Sequence, residues 1–218
     1  MIFFIKLKNY LIEFIFPKRK ELVFIESIDS KTLSELLPRE NYKTKDGYEA
    51  LFNYRSDLIK EIIWQIKYKG NRTIADKMGI ILYDYLQKIK NLDCEEIKKP
   101  ILLIPMPVSK KRLFERGYNQ SELLTLAIKK YDIKNYFKHA SNLLVKSIHT
   151  ESQTKKSNKD ERMKNIKGTM SLISCNEISG NTVLLIDDVL TTGATFAEAK
   201  KILKTAGAKK VICLALAH

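Results

Sequence analysis

The sequence predicts an α/β fold: a mainly parallel central sheet with flanking helices, preceded by a small helical and irregular extension. Ile101-Leu102-Leu103-Ile104 and Val183-Leu184-Leu185-Ile186 are unbroken apolar runs, as expected of strands covered on both faces. After the second run come a helix carrying Phe196, Ala199, Ile202 and Leu203, a stop at Gly207, and an apolar segment from Val211 to Leu216. Strand, helix and strand within about 34 residues form a unit whose crossover is right-handed in nearly all known cases. Elements alternating in this way build a parallel sheet with helices on both faces.

From the amino terminus, Met1 to Phe16 is rich in Ile, Leu and Phe but is interrupted by Lys6, Lys8 and Glu13. No uncharged run reaches a signal-peptide core, still less a span of about 20 residues. Lys6, Asn9 and Glu13 share one narrow helical stripe, so most of that helix is apolar. It packs on the body or on a partner, or it makes peripheral contact with a membrane surface. Pro17 and Lys18-Arg19-Lys20 end it. Residues 21–56 show no sustained period and hold Pro38 and Gly47, so they read as short irregular elements.

From Asp57 the pattern is helical. Leu58, Ile59, Ile62, Ile63 and Ile66 form one stripe that ends near Gly70. Asn71 caps a second helix carrying Ile74, Met78, Ile81, Leu82 and Tyr85. Lys90 to Lys99 is a polar connector. Beyond the strand at 101–104 come a basic loop, a helix from about Gln120 to Tyr131, and a candidate strand at 142–145. Thr150 to Lys167 is almost free of apolar residues. The chain divides into an extension, 1–47, and a main domain, 48–218, with a helical hood at 48–90 and an α/β core at 101–218.

Composition excludes several classes. With 218 residues, 44% hydrophobic and 29% charged, the chain is an ordinary globular protein rather than a disordered one. Its 39 Lys and Arg against 25 Asp and Glu leave a net charge of +14, which favours anionic ligands. Cys94, Cys175 and Cys213 give neither a disulfide framework nor a zinc half-site, and a reducing cytoplasm is the expected compartment. The closest glycines, Gly70 and Gly79, are nine apart. Neither a Walker loop nor a dinucleotide fingerprint is therefore present.

Ligands in open α/β sheets bind beyond the carboxyl ends of the strands, and two loops there carry unusual chemistry. Asp187 and Asp188 come directly off a strand, and Leu190-Thr191-Thr192-Gly193-Ala194-Thr195 turns into a helix. A glycine free to take positive φ lets successive N–H groups face an anion, and the helix dipole adds to them. Adjacent carboxylates beside an anion site suit a ligand with a phosphate at one end and hydroxyls or a metal next to it. The same residues also fit strand-end acids followed by threonine helix caps.

The stretch VLLIDDVLTTGAT, residues 183–195, resembles the binding motif of type I phosphoribosyltransferases, which use 5-phosphoribosyl-1-pyrophosphate (PRPP). The second loop narrows the resemblance to the ComF branch. Ile104-Pro105-Met106-Pro107-Val108-Ser109, Arg112, and Arg116-Gly117-Tyr118-Asn119-Gln120 are similar to that family. Ile66-Lys67-Tyr68-Lys69-Gly70, the set Gln153, Arg162, Asn165 and Gly168, and Gly207-Ala208 agree with it. The resemblance spans about residues 48–218.

It implies a type I phosphoribosyltransferase-like fold, Mg²⁺ as cofactor, and phosphoribosyl transfer or cleavage with pyrophosphate release. The setting it implies is DNA uptake in natural transformation, or DNA metabolism. By resemblance, Asp187 and Asp188 hold the ribose hydroxyls and possess catalytic weight with Arg162. The backbone of 190–195, with Thr191, Thr192 and Thr195, cradles the 5-phosphate. Arg112, Arg116 and Lys111 meet the pyrophosphate, although Lys110 and Lys111 read equally well as solvated neighbours. Asn119, Gln120, Gln153 and Asn165 support the site, and Arg162 sits in a loop that either closes over substrate or is merely disordered. Single-stranded DNA and DNA-uptake proteins are the partners the family suggests.

Two departures stand out. Phe16-Pro17 is present, yet no cysteine precedes Cys94 where ComF proteins often carry a zinc module, and Lys156 replaces a usual leucine. The alternative reading is a non-catalytic competence factor that senses PRPP or binds DNA or protein.

Overall fold

The two apolar runs lie side by side in the centre of one sheet. The structure is a computed structural model and describes residues 19–89, 99–146 and 168–218. The expected helix over 1–16 and the loop 150–167, with Gln153, Arg162 and Asn165, lie outside the described residues.

In chain order the elements are α1 (Lys20–Ser27), α2 (Ser30–Leu36), β1 (Arg39–Lys43), β2 (Glu49–Phe52) and α3 (Asp57–Trp64). A π-helical turn, Gln65–Lys69, continues α3, and α4 (Arg72–Lys88) follows. The core then supplies β3 (Ile101–Pro105), α5 (Lys110–Arg116), α6 (Gln120–Tyr131), β4 (Phe137–His139) and β5 (Leu144–Lys146). The last part holds β6 (Met170–Leu172), β7 (Thr182–Val189), α7 (Ala194–Thr205) and β8 (Lys210–Ala217).

The six-stranded sheet has the order β1-β2-β8-β7-β3-β4, and only the β1–β2 pairing is antiparallel. Its carboxyl edge therefore gathers the ends of β2, β8, β7, β3 and β4. A separate antiparallel pair, β5 with β6, stands beside it.

Alternation along the central strands divides the core in two. Leu103, Leu184, Ile186, Leu214 and Leu216 face α1, α3, α4 and α6. Leu102, Ile104, Val183, Leu185, Cys213 and Ala215 face α7 and the β5–β6 pair. Both faces are covered, which is why these strands show unbroken apolar runs rather than alternation. Each fully buried Leu or Ile contributes about 1.5–3 kcal/mol.

Local chemistry sets the helix ends. The Asn71 side chain accepts from the Ile74 N–H at 3.2 Å and opens α4, as its sequence position predicts. Gly70 closes the π-turn in the left-handed region at φ +59°. Gly79 lets α4 lie directly on α6, since a Cβ there would overlap Ala127.

The segment 21–56, expected as short irregular elements, forms α1, α2 and the β1–β2 hairpin. Leu22, Ile25, Leu33 and Leu37 enter the same core as Ile62 and Met78. Helices of seven or eight residues are too short to show a period; tertiary contacts hold them instead. Lys77 Nζ donates to the Ile25 and Glu26 carbonyls at 2.7 and 3.0 Å, satisfying the end of α1 from α4. The 47/48 division falls in the hairpin turn, where the Gly47 N–H donates to the Thr44 carbonyl at 3.0 Å. The basic loop after β3 also differs from expectation, because 110–116 is helical and capped by Ser109.

Candidate functional site

The acidic pair stands at the carboxyl edge, where the sheet gives way to α7. The Leu190 N–H donates to the Ala217 carbonyl at 2.8 Å and ties the loop to β8. Gly193 then turns the chain at φ +78° into α7. Among the described residues, the side-chain hydrogen bond at that start is a long one, from the Ala194 N–H to the Thr192 hydroxyl at 3.4 Å. The start of an α-helix has backbone N–H groups without intrahelical partners, and the helix dipole makes such a position attractive to an anion. Tyr48 packs against Gly193 so closely that a Cβ there would sit 2.9 Å from the ring. Leu190, Gly193 and Ala194 are buried, Thr192 and Thr195 are half-buried, and Thr191 is exposed.

The two carboxylates differ. Asp187 Oδ1 accepts from the buried Ser121 hydroxyl at 2.9 Å and from the Asp188 N–H at 2.9 Å. Burial, and then the neighbouring Asp188 charge, push the Asp187 carboxyl up to about 8. Asp188 Oδ1 accepts from the Val189 N–H at 3.0 Å, while its Oδ2 is buried and, among the described residues, has no hydrogen-bond partner. Lys67 Nζ lies 3.4 Å from that oxygen. Burial alone would lower the Lys67 amine, but Asp188 outweighs it and holds the ammonium charged.

The second loop approaches from β3. Asn119 donates to the Met106 carbonyl at 3.1 Å and caps α6 through the Ser121 N–H at 3.0 Å. Gln120 accepts from Arg116 at 3.1 Å, and the Arg116 guanidinium lies 5.3 Å over the Tyr68 ring. Arg112 is half-buried, and its N–H donates to the Ser109 hydroxyl at 3.4 Å. Lys111 is exposed.

Sequence reasoning missed Ser121 and Lys146. Lys146 bridges to Ser109 at the end of β5, and burial, reinforced by the Arg112 charge, pulls its amine down while Asp187 acts in the opposite sense. Only the strand ending at that lysine could have signalled it. His139, a possible general base by residue type, pairs with Thr125 at 3.1 Å on β4, and burial lowers it. It is half-buried, with Thr125 as its hydrogen-bond partner.

Residues 136–218, which contain the β7–α7 loop, match the phosphoribosyl transferase domain model. Competence protein F of Haemophilus influenzae is 34% identical over 165 residues, 75% of this chain and 67% of that protein. The chain belongs to the ComF family. Competence protein ComFC of Bacillus subtilis is 28% identical, covering 72% of this chain and 58% of its own length. The DNA utilization protein YhgH of Escherichia coli K12 is 26% identical, covering 70% and 64%. The chain thus spans about three fifths to two thirds of the length of these relatives. With the parallel sheet and its two helical faces, membership places this ComF chain in the type I phosphoribosyltransferase-like fold. Among the described residues, no helix is long and apolar enough to cross a membrane.

Proposed function

We propose that this ComF protein binds PRPP with Mg²⁺ at the carboxyl edge of the sheet and transfers or cleaves its phosphoribosyl group, serving DNA uptake or DNA metabolism. One observation carries the reading: an acidic pair stands directly beside an open helix start built by a left-handed glycine. The α7 N–H groups take the 5-phosphate, and Asp187 and Asp188 accept from the ribose hydroxyls. The buried, unbonded Asp188 Oδ2 suits this role, since a hydroxyl would supply its missing donor.

Two neighbouring carboxylates also provide hard oxygen donors of the kind that would hold Mg²⁺. When bound, the ion neutralises charge on pyrophosphate. Breaking the C1–O bond builds positive charge on the sugar and negative charge on the departing pyrophosphate, and C1 forms its new bond to the acceptor in transfer or to water in cleavage. Arg112 and Arg116 meet that negative charge with planar donors suited to bidentate contact, and Lys111 adds a mobile third cation. Arg162, on a loop outside the described residues, is proposed to close over the leaving group and exclude water. The protein's share of catalysis is therefore positioning and electrostatics.

Calorimetry with PRPP and Mg²⁺ tests this. Wild type should bind, and Asp187→Asn with Asp188→Asn should weaken binding by more than tenfold while circular dichroism stays unchanged. No heat of PRPP binding to the wild type would overturn the reading.

A further inference from the structure

Past the end of β3 the chain meets a neighbour that is not a strand of the six-stranded sheet. The Met106 N–H still donates to the Ile186 carbonyl at 2.8 Å, alongside β7. Further on, Ser109 forms a parallel bridge with Lys146, the last residue of β5. Bridged backbones lie about 5 Å apart, so Lys146 stands at the carboxyl edge of the main sheet. Its other side is held as well, because Lys146 pairs with Met170 of β6.

Ser109 also opens α5, where its hydroxyl accepts from the Arg112 N–H at 3.4 Å. Side chains of a first helical turn lean back toward the helix start, and the Arg112 charge is felt at the Lys146 amine. Burial, and then that guanidinium, pull the amine down; Asp187 opposes them and does not prevail. Both cations are half-buried. Among the described residues, neither has an acid within ion-pairing distance. Lys67, Lys77 and Lys129 are half-buried too, yet each reaches an oxygen: Asp188, the α1 carbonyls and Asp132. Lys146 differs from them. Crowding two like charges in partly desolvated surroundings is unfavourable, and an anion between them reverses the sign.

Position decides which anion. Within the sheet β7 has β8 on one side and β3 on the other. The β7–α7 turn is tied toward β8, through the Leu190 N–H and the Ala217 carbonyl. Ser109, Arg112 and Lys146 lie on the β3 side. Asp187 and Asp188 therefore stand between two cationic or donor-rich positions, the start of α7 and the Lys146–Arg112 pair. A ligand with a phosphate at one end, hydroxyls in the middle and further negative charge at the other spans that edge.

We propose that Lys146 binds the pyrophosphate end of the ligand beside Arg112, and thereby makes the site select PRPP over ribose 5-phosphate. The assignment rests on the PRPP reading above. The ammonium acts as a point charge on one oxygen while the guanidinium offers its planar fork to others. Lys146 is fixed by backbone contacts on both sides, whereas Lys111 is exposed on α5. Its charge is therefore placed in advance, which favours the ligand that carries a matching charge there.

Calorimetry on the full chain with Mg²⁺ compares three probes: PRPP, inorganic pyrophosphate and ribose 5-phosphate. Lys146→Met should weaken PRPP and pyrophosphate about tenfold, the size of one charge-assisted contact, and leave ribose 5-phosphate within about twofold. Lys146→Arg should keep most of the affinity. Lys110→Met removes the same charge from an exposed position and should leave all three probes within about twofold. Without ligand, Lys146→Met should melt roughly 2–4 °C higher than wild type, since the crowded charge is gone. In wild type, saturating pyrophosphate should slow acetylation of Lys146 by acetic anhydride about tenfold, read by mass spectrometry, and ribose 5-phosphate should not. That protection decides the matter if Lys146→Met does not fold. Equal weakening of all three probes, unchanged pyrophosphate affinity or a lower melting temperature in Lys146→Met, or acetylation indifferent to pyrophosphate overturns the inference. If PRPP fails to bind wild type while pyrophosphate binds and protects Lys146, the PRPP reading falls and the anion site stands.

Discussion

The β7–α7 loop and the β3–α6 connection, which contains α5, reach the same edge of the sheet but are made from different materials. The first is shaped by backbone: Leu190, Gly193 and Ala194 are buried, and a φ of +78° at Gly193 turns the chain into α7. The second presents side chains: Lys110 and Lys111 are exposed, Phe114 is 92% exposed, and Arg116 is held by Gln120 and Tyr68. A site built from backbone is damaged by changing shape, whereas one built from side chains is damaged by changing charge. The two loops should therefore fail in different ways.

The largest effect belongs to Gly193→Ala. A left-handed conformation costs a non-glycine residue about 1–2 kcal/mol, and the new Cβ would meet the Tyr48 ring at 2.9 Å. Tyr48 has little freedom to retreat, being buried against Phe196 with Lys200 over its face. Thermal unfolding should begin roughly 4–8 °C lower, and PRPP affinity by calorimetry should fall about a hundredfold because the phosphate cradle moves. Adding Tyr48→Leu should recover part of the stability but little of the affinity. Full recovery of both would show that the clash alone matters and that the turn is not the cradle.

Arg116→Ala should separate the loops. Losing one charge-assisted contact to pyrophosphate should weaken PRPP by about tenfold, while the melting temperature stays within about 2 °C because the guanidinium is held only at the surface. Gln120→Ala, which frees Arg116 without deleting it, should cost roughly threefold. Should Arg116→Ala lower stability as much as Gly193→Ala does, its stacking on Tyr68 would be structural and the pyrophosphate role misplaced.

The contrast also explains what could be read from the sequence. Backbone-built features leave strong signals: buried runs such as 183–186, an acid pair at a strand end, and a glycine where the chain must turn. The β7–α7 turn, the cap at Asn71 and the helix 120–131 were legible for that reason. Features made by tertiary contact leave weak ones. α1 and α2 exist because Leu22, Ile25 and Leu33 bury against α3 and α4, and because Lys77 satisfies the end of α1. Strands β4 and β6 are three residues each, too short for a period, and their pairing partners decide them. Ser121 reached the site because α6 packs under β7, which no local pattern encodes.

Asp187 gives a smaller and oppositely signed effect on stability. Its carboxyl is raised to about 8 in the folded chain, against an ordinary value of 3.8, by burial and by Asp188. Folding thus disfavours the ionised form. The associated stability is fully present below about pH 4 and is lost as pH rises toward 8. Asp187→Asn keeps an oxygen for Ser121 and for the Asp188 N–H but cannot ionise. It should melt about 2–6 °C higher than wild type at pH 8, with the gap closing toward pH 4, even though PRPP binding weakens. A gap that widens on acidification would mean that Asp187 is ionised and stabilising in the fold.

Thr191→Ala should produce the smallest change, and its smallness is the informative part. Thr191 is the one exposed member of the 190–195 loop. If phosphate is held chiefly by the N–H groups at the start of α7, a single hydroxyl adds one solvent-accessible hydrogen bond, worth about 0.5–1 kcal/mol. PRPP affinity should then drop no more than about fivefold, with no measurable change in melting temperature. Thr192→Ala should cost slightly more, because its hydroxyl also accepts from the Ala194 N–H at 3.4 Å and helps to aim that group. Calorimetry on both variants ranks backbone against hydroxyl directly. Were Thr191→Ala to weaken PRPP as severely as Gly193→Ala, the cradle would be a side-chain device after all, and the two loops would differ in residue type rather than in kind.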